Sequence, residues 1–176
     1  MLISIEELKK MNEFQKIADS VLERKIKAIE QTIRQVTNNN FQNRLKRIVA
    51  GSSNNVLQGT SPYFKVGDTI QISESINNGL YVIQEMNEAN IVFDEDIFDS
   101  EHNLVTKVEY PMDVIEGAIE LLKWDVDPNS TKNKVGIASE TISRHSVSYD
   151  NNSDNLISGY PTKLLNFCKK YEKARF

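Results

Sequence analysis

At 176 residues, with 39% hydrophobic and 26% charged residues, the chain is long enough for one domain with a sizeable core, or a domain carrying an insertion. It holds no run of about 18 apolar residues, which argues against a membrane span, and its opening MLISIEELKK lacks the basic-then-apolar layout of a signal peptide, so the expected compartment is a cytoplasm. The net charge of -4 is unevenly spread: ten Lys/Arg face six Asp/Glu in residues 1–50, three face fourteen in 51–126, and eight face five in 127–176. An acidic middle between basic ends bears on partners rather than on fold.

In chain order, Ser4 and Glu7 form a capping box that predicts a short helix to about Met11, and Asn12 with Gln15 restarts a longer one. Ile17, Val21, Leu22, Ile26, Ile29, Ile33 and Val36 keep helical gaps of three and four as far as Thr37, where Asn38, Asn39 and Asn40 end the run. From Phe41 the helical period is lost. Five short β-type runs follow, at 44–49, 69–73, 80–84, 91–93 and 104–109, with turn signals at Val66-Gly67-Asp68 and Asn77-Asn78-Gly79. Near-regular strand spacing predicts a small antiparallel barrel or sandwich. Asp94, Glu95, Asp96, Asp99 and Glu101 do not have the spacing or the glycine of an EF-hand loop and read as a solvated acidic turn.

Pro111 and Asp113 open a mostly apolar helix running through Val114, Ile115, Ala118, Ile119, Leu121, Leu122 and Trp124. A polar loop at 127–134 leads to a Ser/Thr-rich extended segment at 137–149, and a second polar loop, 151–155, precedes Tyr160-Pro161. Leu164, Phe167, Cys168 and Tyr171 then form the stripe of a last helix. The fold class predicted is α+β: a mainly helical frame of residues 1–43 and 110–176, with a small antiparallel β-barrel or sandwich inserted at 44–109.

Catalytic signatures are missing from the sequence. It has no P-loop and no dinucleotide fingerprint, and its two histidines, His102 and His145, have no second ligand at metal spacing. The serines around His145 sit in no nucleophile elbow. One cysteine, Cys168, builds neither a disulfide framework nor a structural zinc site and reads as core packing. The expectation is a protein that is not an enzyme and needs no cofactor or metal.

Several segments in order carry a resemblance. They are Ile3-Ser4-Ile5-Glu6-Glu7-Leu8-Lys9 before a long helix, the Tyr110-Pro111 helix, Gly136-Ile137-Ala138-Ser139-Glu140-Thr141-Ile142 running into Ser146-Val147-Ser148-Tyr149, and Pro161 followed by Leu164-Leu165. Covering about two thirds of the chain, they resemble the tailed-bacteriophage head-tail connector family. The departure is the β region, where smaller members have a much shorter connection. The resemblance implies a structural virion protein at the head-tail interface, made in the host bacterial cytoplasm. It implies a homo-oligomeric ring, commonly a dodecamer, that docks under the portal protein and meets a tail-side connector or stopper protein. DNA would pass through the channel without sequence-specific binding.

Two segments are the expected portal or subunit interface. Glu140, Ile142, Arg144, Val147 and Tyr149 lie on the extended segment, whose main chain is suited to pairing with a neighbour. In the last helix, Lys163, Lys169, Lys170, Lys173 and Arg175 surround the aromatic residues Phe167, Tyr171 and Phe176, a composition suited to an interface. A second reading is a nucleic-acid-binding regulator of a phage or prophage, in which Lys9, Lys10, Lys16, Arg24, Lys25, Lys27 and Arg34 contact phosphates.

Overall fold

The computed structural model describes residues 2–127, 139–142, 145–148 and 156–174, the segments 139–142 and 145–148 by their backbone alone. The chain divides into two compact units, Met1–Ser4 with Asn38–Pro111, and Ile5–Thr37 with Met112–Phe176.

The first unit is a closed barrel. Its strands β1 (Gln42–Ser53), β2 (Val56–Gln58), β3 (Thr69–Ser73), β4 (Gly79–Met86), β5 (Asn90–Phe93) and β6 (Ser100–Val108) run in the order β1-β2-β5-β4-β3-β6. All neighbours are antiparallel, including the β1–β6 pair that closes the ring, so no strand edge is left open. Alternation fills the inside: Ile70 and Ile72, Ile91 and Phe93, with Leu57, Ile83 and Val105, point into one core that Phe64 and Ile97 enter from loops. Burial of each such side chain contributes roughly 1.5–3 kcal/mol before entropy is subtracted.

Turn chemistry sets the register. Asn54 and Asn55 both take positive φ, 51° and 67°, the pattern of a two-residue hairpin turn whose twist matches its strands. Gly67, at φ 87°, lets its N–H reach the Ile83 carbonyl at 2.8 Å. The largest irregularity is in β1: Gln42 pairs with Val108 and Arg47 with Thr106, so four residues of β1 arch over one of β6.

The second unit is built from both ends of the chain. It holds α1 (Ile5–Lys9), α2 (Asp19–Thr37), α3 (Met112–Val126), the backbone hairpin β7 (Ser139–Ile142) and β8 (His145–Ser148), a short hairpin β9 (Leu156–Ile157) and β10 (Tyr160–Pro161), and a 3₁₀ helix, Thr162–Tyr171. Leu22, Ile26, Ile29 and Ile33 form the buried face of α2, and Val114, Ala118, Ile119, Leu121 and Leu122 that of α3. Lys25 of α2 forms an ion pair with Asp125 of α3.

The α+β class and the barrel agree with the sequence reading, but the chain is not mainly helical. The longer helix expected from Asn12 begins only at Asp19. Residues 11–17 turn inward instead to bury Phe14 fully, and the Lys9 ammonium bonds the Gln15 and Ile17 carbonyls at 3.3 and 2.5 Å. The expected C-terminal α-helix is the 3₁₀ helix. With three residues per turn it aligns Leu165, Cys168 and Tyr171 in one column, and the first two are buried. The compact barrel unit takes in Met1–Ser4 and begins its main stretch at Asn38; β1 reaches back to Gln42, and Phe41 packs tilted against Tyr110 at 4.8 Å between ring centroids.

Phe167 of the 3₁₀ helix packs directly on Gly117 of α3, so close that a Cβ added there would stand 2.4 Å from the ring. Gly117→Ala therefore sets a gain in helix propensity of about 1 kcal/mol against an overpacking cost of about 1–3 kcal/mol. The expected outcome, read by urea unfolding, is net destabilisation in the natural chain and a change of sign, to stabilisation, in a Phe167→Ala background.

Candidate functional site

The chemistry of the 3₁₀ helix is cationic outside and anchored inside. Lys163, Lys169, Lys170 and Lys173 are exposed. Phe167 and Tyr171 are half-buried, Phe167 against Gly117 and Tyr171 donating its hydroxyl to Asp113 Oδ1 at 2.6 Å. The Lys170 ammonium closes on Asp113 Oδ2 as an ion pair rather than as a well-directed hydrogen bond. The nearby Lys170 cation and the Tyr171 hydroxyl hold the Asp113 carboxyl below its ordinary range, outweighing its partial burial. Past the helix, the Lys173 N–H donates to the Thr37 carbonyl at 2.8 Å, satisfying one of the orphan acceptors at the end of α2. Phe167 and Tyr171, two of the three aromatic residues expected as interface anchors, thus fasten the helix to α3, and Lys163 and Lys169 are exposed beside them.

In the extended segment the backbone forms the β7–β8 hairpin, with Glu140 opposite Val147 and Ile142 opposite His145. Among the described residues, these two strands pair only with each other. Arg144, Tyr149, Arg175 and Phe176 lie outside the described residues.

Nucleophile chemistry finds no support in the groups that are described. Cys168 is fully buried, and burial, with Glu172 nearby, pushes its thiol up to about 11, so it stays protonated and inert. Among the described residues no three His, Cys, Asp or Glu side chains are grouped to share a metal. A cleft of about 550 Å³ on the barrel is lined by Gly51, Ser52, Gln58, Asp99, Ser100 and Glu101, a polar and anionic wall without a base-nucleophile pair.

At one barrel end three loops meet: the 54–55 turn, 74–78 between β3 and β4, and 94–99 between β5 and β6. They are tied by a buried polar network that sequence reading did not find. Asn77 donates to the Phe98 carbonyl at 2.9 Å and to Asn103 Oδ1 at 3.0 Å, and accepts from the Phe98 N–H at 2.8 Å. Asn103 in turn donates to the Ala50 carbonyl and to Ser52 Oγ, both at 3.1 Å. The acidic turn is built into the same end: Asp94 accepts from the Val82 N–H, Asp99 from the Asn54 N–H, and Asp96 from the Asn55 amide. The signal that was available is Asn77 itself, a residue placed in a turn that also faces the barrel interior.

No family model, curated protein or solved structure matches the chain.

The Asp113 contact has a defined pH dependence. Its folded pKa is depressed, so its contribution to stability is full above the unfolded value of about 4 and is lost as pH falls through the lower folded value. Protection of the amides of residues 165–171, taken relative to their intrinsic exchange rate at each pH, should stay high down to about pH 4 and fall below it. Asp113→Asn should show lower protection at neutral pH and a flatter acid response; a natural chain whose protection does not fall on the acid side would contradict the assignment.

Proposed function

We propose that this chain is a structural protein of a tailed-phage particle, a head-tail connector that assembles as a ring beneath a portal protein and meets a tail-side connector or stopper. The observation that carries the reading is the order of its helical unit. The short helix and long α2, then the Tyr110-Pro111 helix, a Ser/Thr-rich hairpin and a Pro161-led last helix follow the connector pattern, with the barrel inserted between α2 and α3. A ring adaptor needs repeated complementary surfaces rather than a reactive centre. The main chain of the β7–β8 hairpin and the exposed Lys163 and Lys169 of the 3₁₀ helix are suited to surfaces of that kind. On this reading DNA passes through the ring without base recognition, and the ring is a dodecamer in the virion.

The alternative, a nucleic-acid-binding regulator, loses much of its support at the first helices. Lys9 pairs with Asp19, Lys25 with Asp125, Lys27 with Glu23 and Arg34 with Glu30, so four of the seven cations suited to phosphate contacts face carboxylates of their own chain.

The test is a binding experiment with portal rings from phages that infect the source of this gene. Co-sedimentation of the purified chain with portal rings at a fixed subunit ratio is expected, and Lys163→Glu/Lys169→Glu/Lys173→Glu should weaken it at least tenfold. Failure to bind any portal, combined with salt-sensitive retention on duplex DNA, would replace the connector reading with the regulator.

A further inference from the structure

The barrel presents an exposed apolar knob at each end, and the two knobs stand in opposite charge. At the acidic end, Ile76 and Phe98 are 67% and 68% exposed, although both flank the buried Asn77. The Phe98 backbone is held through its N–H and its carbonyl by Asn77, and its carbonyl also accepts from Ser52 Oγ at 2.7 Å. This ring therefore faces solvent on a rigid base, with little entropy left to lose on docking. Around it stand Glu74, Asp94, Glu95, Asp96, Asp99 and Glu101. The hydrogen bonds to Asp94, Asp96 and Asp99 come from neutral amides, which leave the charge in place. Between Arg47 and Lys107 the sequence has a single cation, Lys65, and it belongs to the loop at the opposite end.

The other knob is the arch of β1. Leu45 at its crest is 91% exposed, flanked by exposed Arg44 and Arg47. The arch is also rigid. Asn43 Oδ1 accepts from the Leu45 N–H at 3.1 Å, and Asn43 Nδ2 and the Lys46 ammonium both bond the Glu109 carboxylate, at 2.6 and 2.5 Å. Burial pushes that carboxyl up, but Lys46, Asn43 and nearby Lys107 together hold it below its ordinary value, so it remains the anionic clasp of the arch. Glu109 and Asp68 are matched there by Lys46 and Lys107, which leaves Arg44 and Arg47 as the surplus charge. The acids Glu85 and Glu88 at the same end belong to β4 and the turn after it, and β4 stands opposite β1 in the closed order.

We infer that these two barrel ends bind each other head to tail between copies of this chain, Ile76 and Phe98 of one copy seating against Leu45, Arg44 and Arg47 of the next. The acidic rim then meets the surplus arginines, and each copy covers the other's exposed apolar side chains. The contact is between copies because one barrel cannot make it alone. Ser52, which bonds Phe98, and Leu45 are separated by about 20 Å of strand along β1. A heterologous contact of this kind leaves one free knob of each type on every dimer, so it propagates into a ring or a filament. It rests on the barrel alone and not on the connector reading.

Sedimentation of the full chain tests it. The natural chain should associate with rising concentration, and the association should weaken as sodium chloride is raised. Ile76→Ser/Phe98→Ser and Arg44→Glu/Leu45→Ser/Arg47→Glu change only exposed side chains. Each variant should sediment as the 20.1 kDa monomer with an unchanged circular dichroism spectrum. Mixed together, they should form a dimer and nothing larger, because the pair keeps one intact knob of each type. A natural chain that stays monomeric at every concentration, a variant that retains the natural assembly, or a mixture that remains monomeric would overturn the inference. Should a variant not fold, Phe98→Ser and Arg44→Glu as single changes serve the same mixing test. Loss of portal binding with this self-association intact would remove the connector reading and leave the barrel contact standing.

Discussion

Closure of the barrel depends on the length of one strand. β1 runs for twelve residues and serves two neighbours over overlapping stretches: Gly51, Ser52 and Ser53 pair with β2, while residues from Gln42 to Ser52 pair with β6. A shorter strand would leave β2 or β6 with an open edge, and the sheet would need another cover for its unpaired amides. The irregularities of β1 follow from this double duty. Its register shifts between Ala50 and Ser52, where the strand passes from one partner to the other, and again at the Leu45 arch. Bulges of this sort increase local twist, which a small barrel requires to close.

Polar groups inside the barrel work with that closure rather than against it. Asn77 and Asn103 are 2% and 0% exposed, and unpaired amides so deep would cost about 1–3 kcal/mol each. Ser52 and Ser75, together with the Ala50 and Phe98 carbonyls, give them partners. The network joins β1, β6 and two loops, so the loops inherit the order of the sheet. An apolar plug would fill the same space without fixing the direction in which Phe98 leaves the surface.

Much of this architecture was legible in the residues. Alternation marked β3 through Ile70 and Ile72, and Asn77-Asn78-Gly79 marked the entry to β4. β2 was missed because it is three residues long, between Asn54-Asn55 and Gly59, too short to show a period. The helix stripe from Ile17 was read correctly from Leu22 onward, but its start was placed too early, since nothing local to 12–17 reveals that Lys9 and Phe14 draw that segment into a turn. The stripe Leu164, Phe167, Cys168 and Tyr171 fits an α period of three and four, whereas the 3₁₀ helix repeats every three and buries Leu165 and Cys168, leaving Leu164 and Phe167 half-buried. Surface features were the least visible. Leu45, Ile76 and Phe98 are apolar and nothing next to them in the sequence sets them apart from core residues; only the folded chain shows them facing water.

The first and last strands of the barrel are neighbours, and Gln42 lies directly across from Val108. Between α2 and α3 the polypeptide therefore enters and leaves the barrel strands through points about 5 Å apart, the spacing of paired strands. For the helical unit, the intervening seventy or so residues then act as a short staple rather than as a long floppy loop, and add little closure entropy once the barrel has formed. In evolutionary terms the strands form a cassette whose two joints lie side by side, so insertion or exchange between α2 and α3 asks for little change in the spacing of those helices, and Leu2 and Ile3, buried and grouped with the barrel, mark what else would have to adapt.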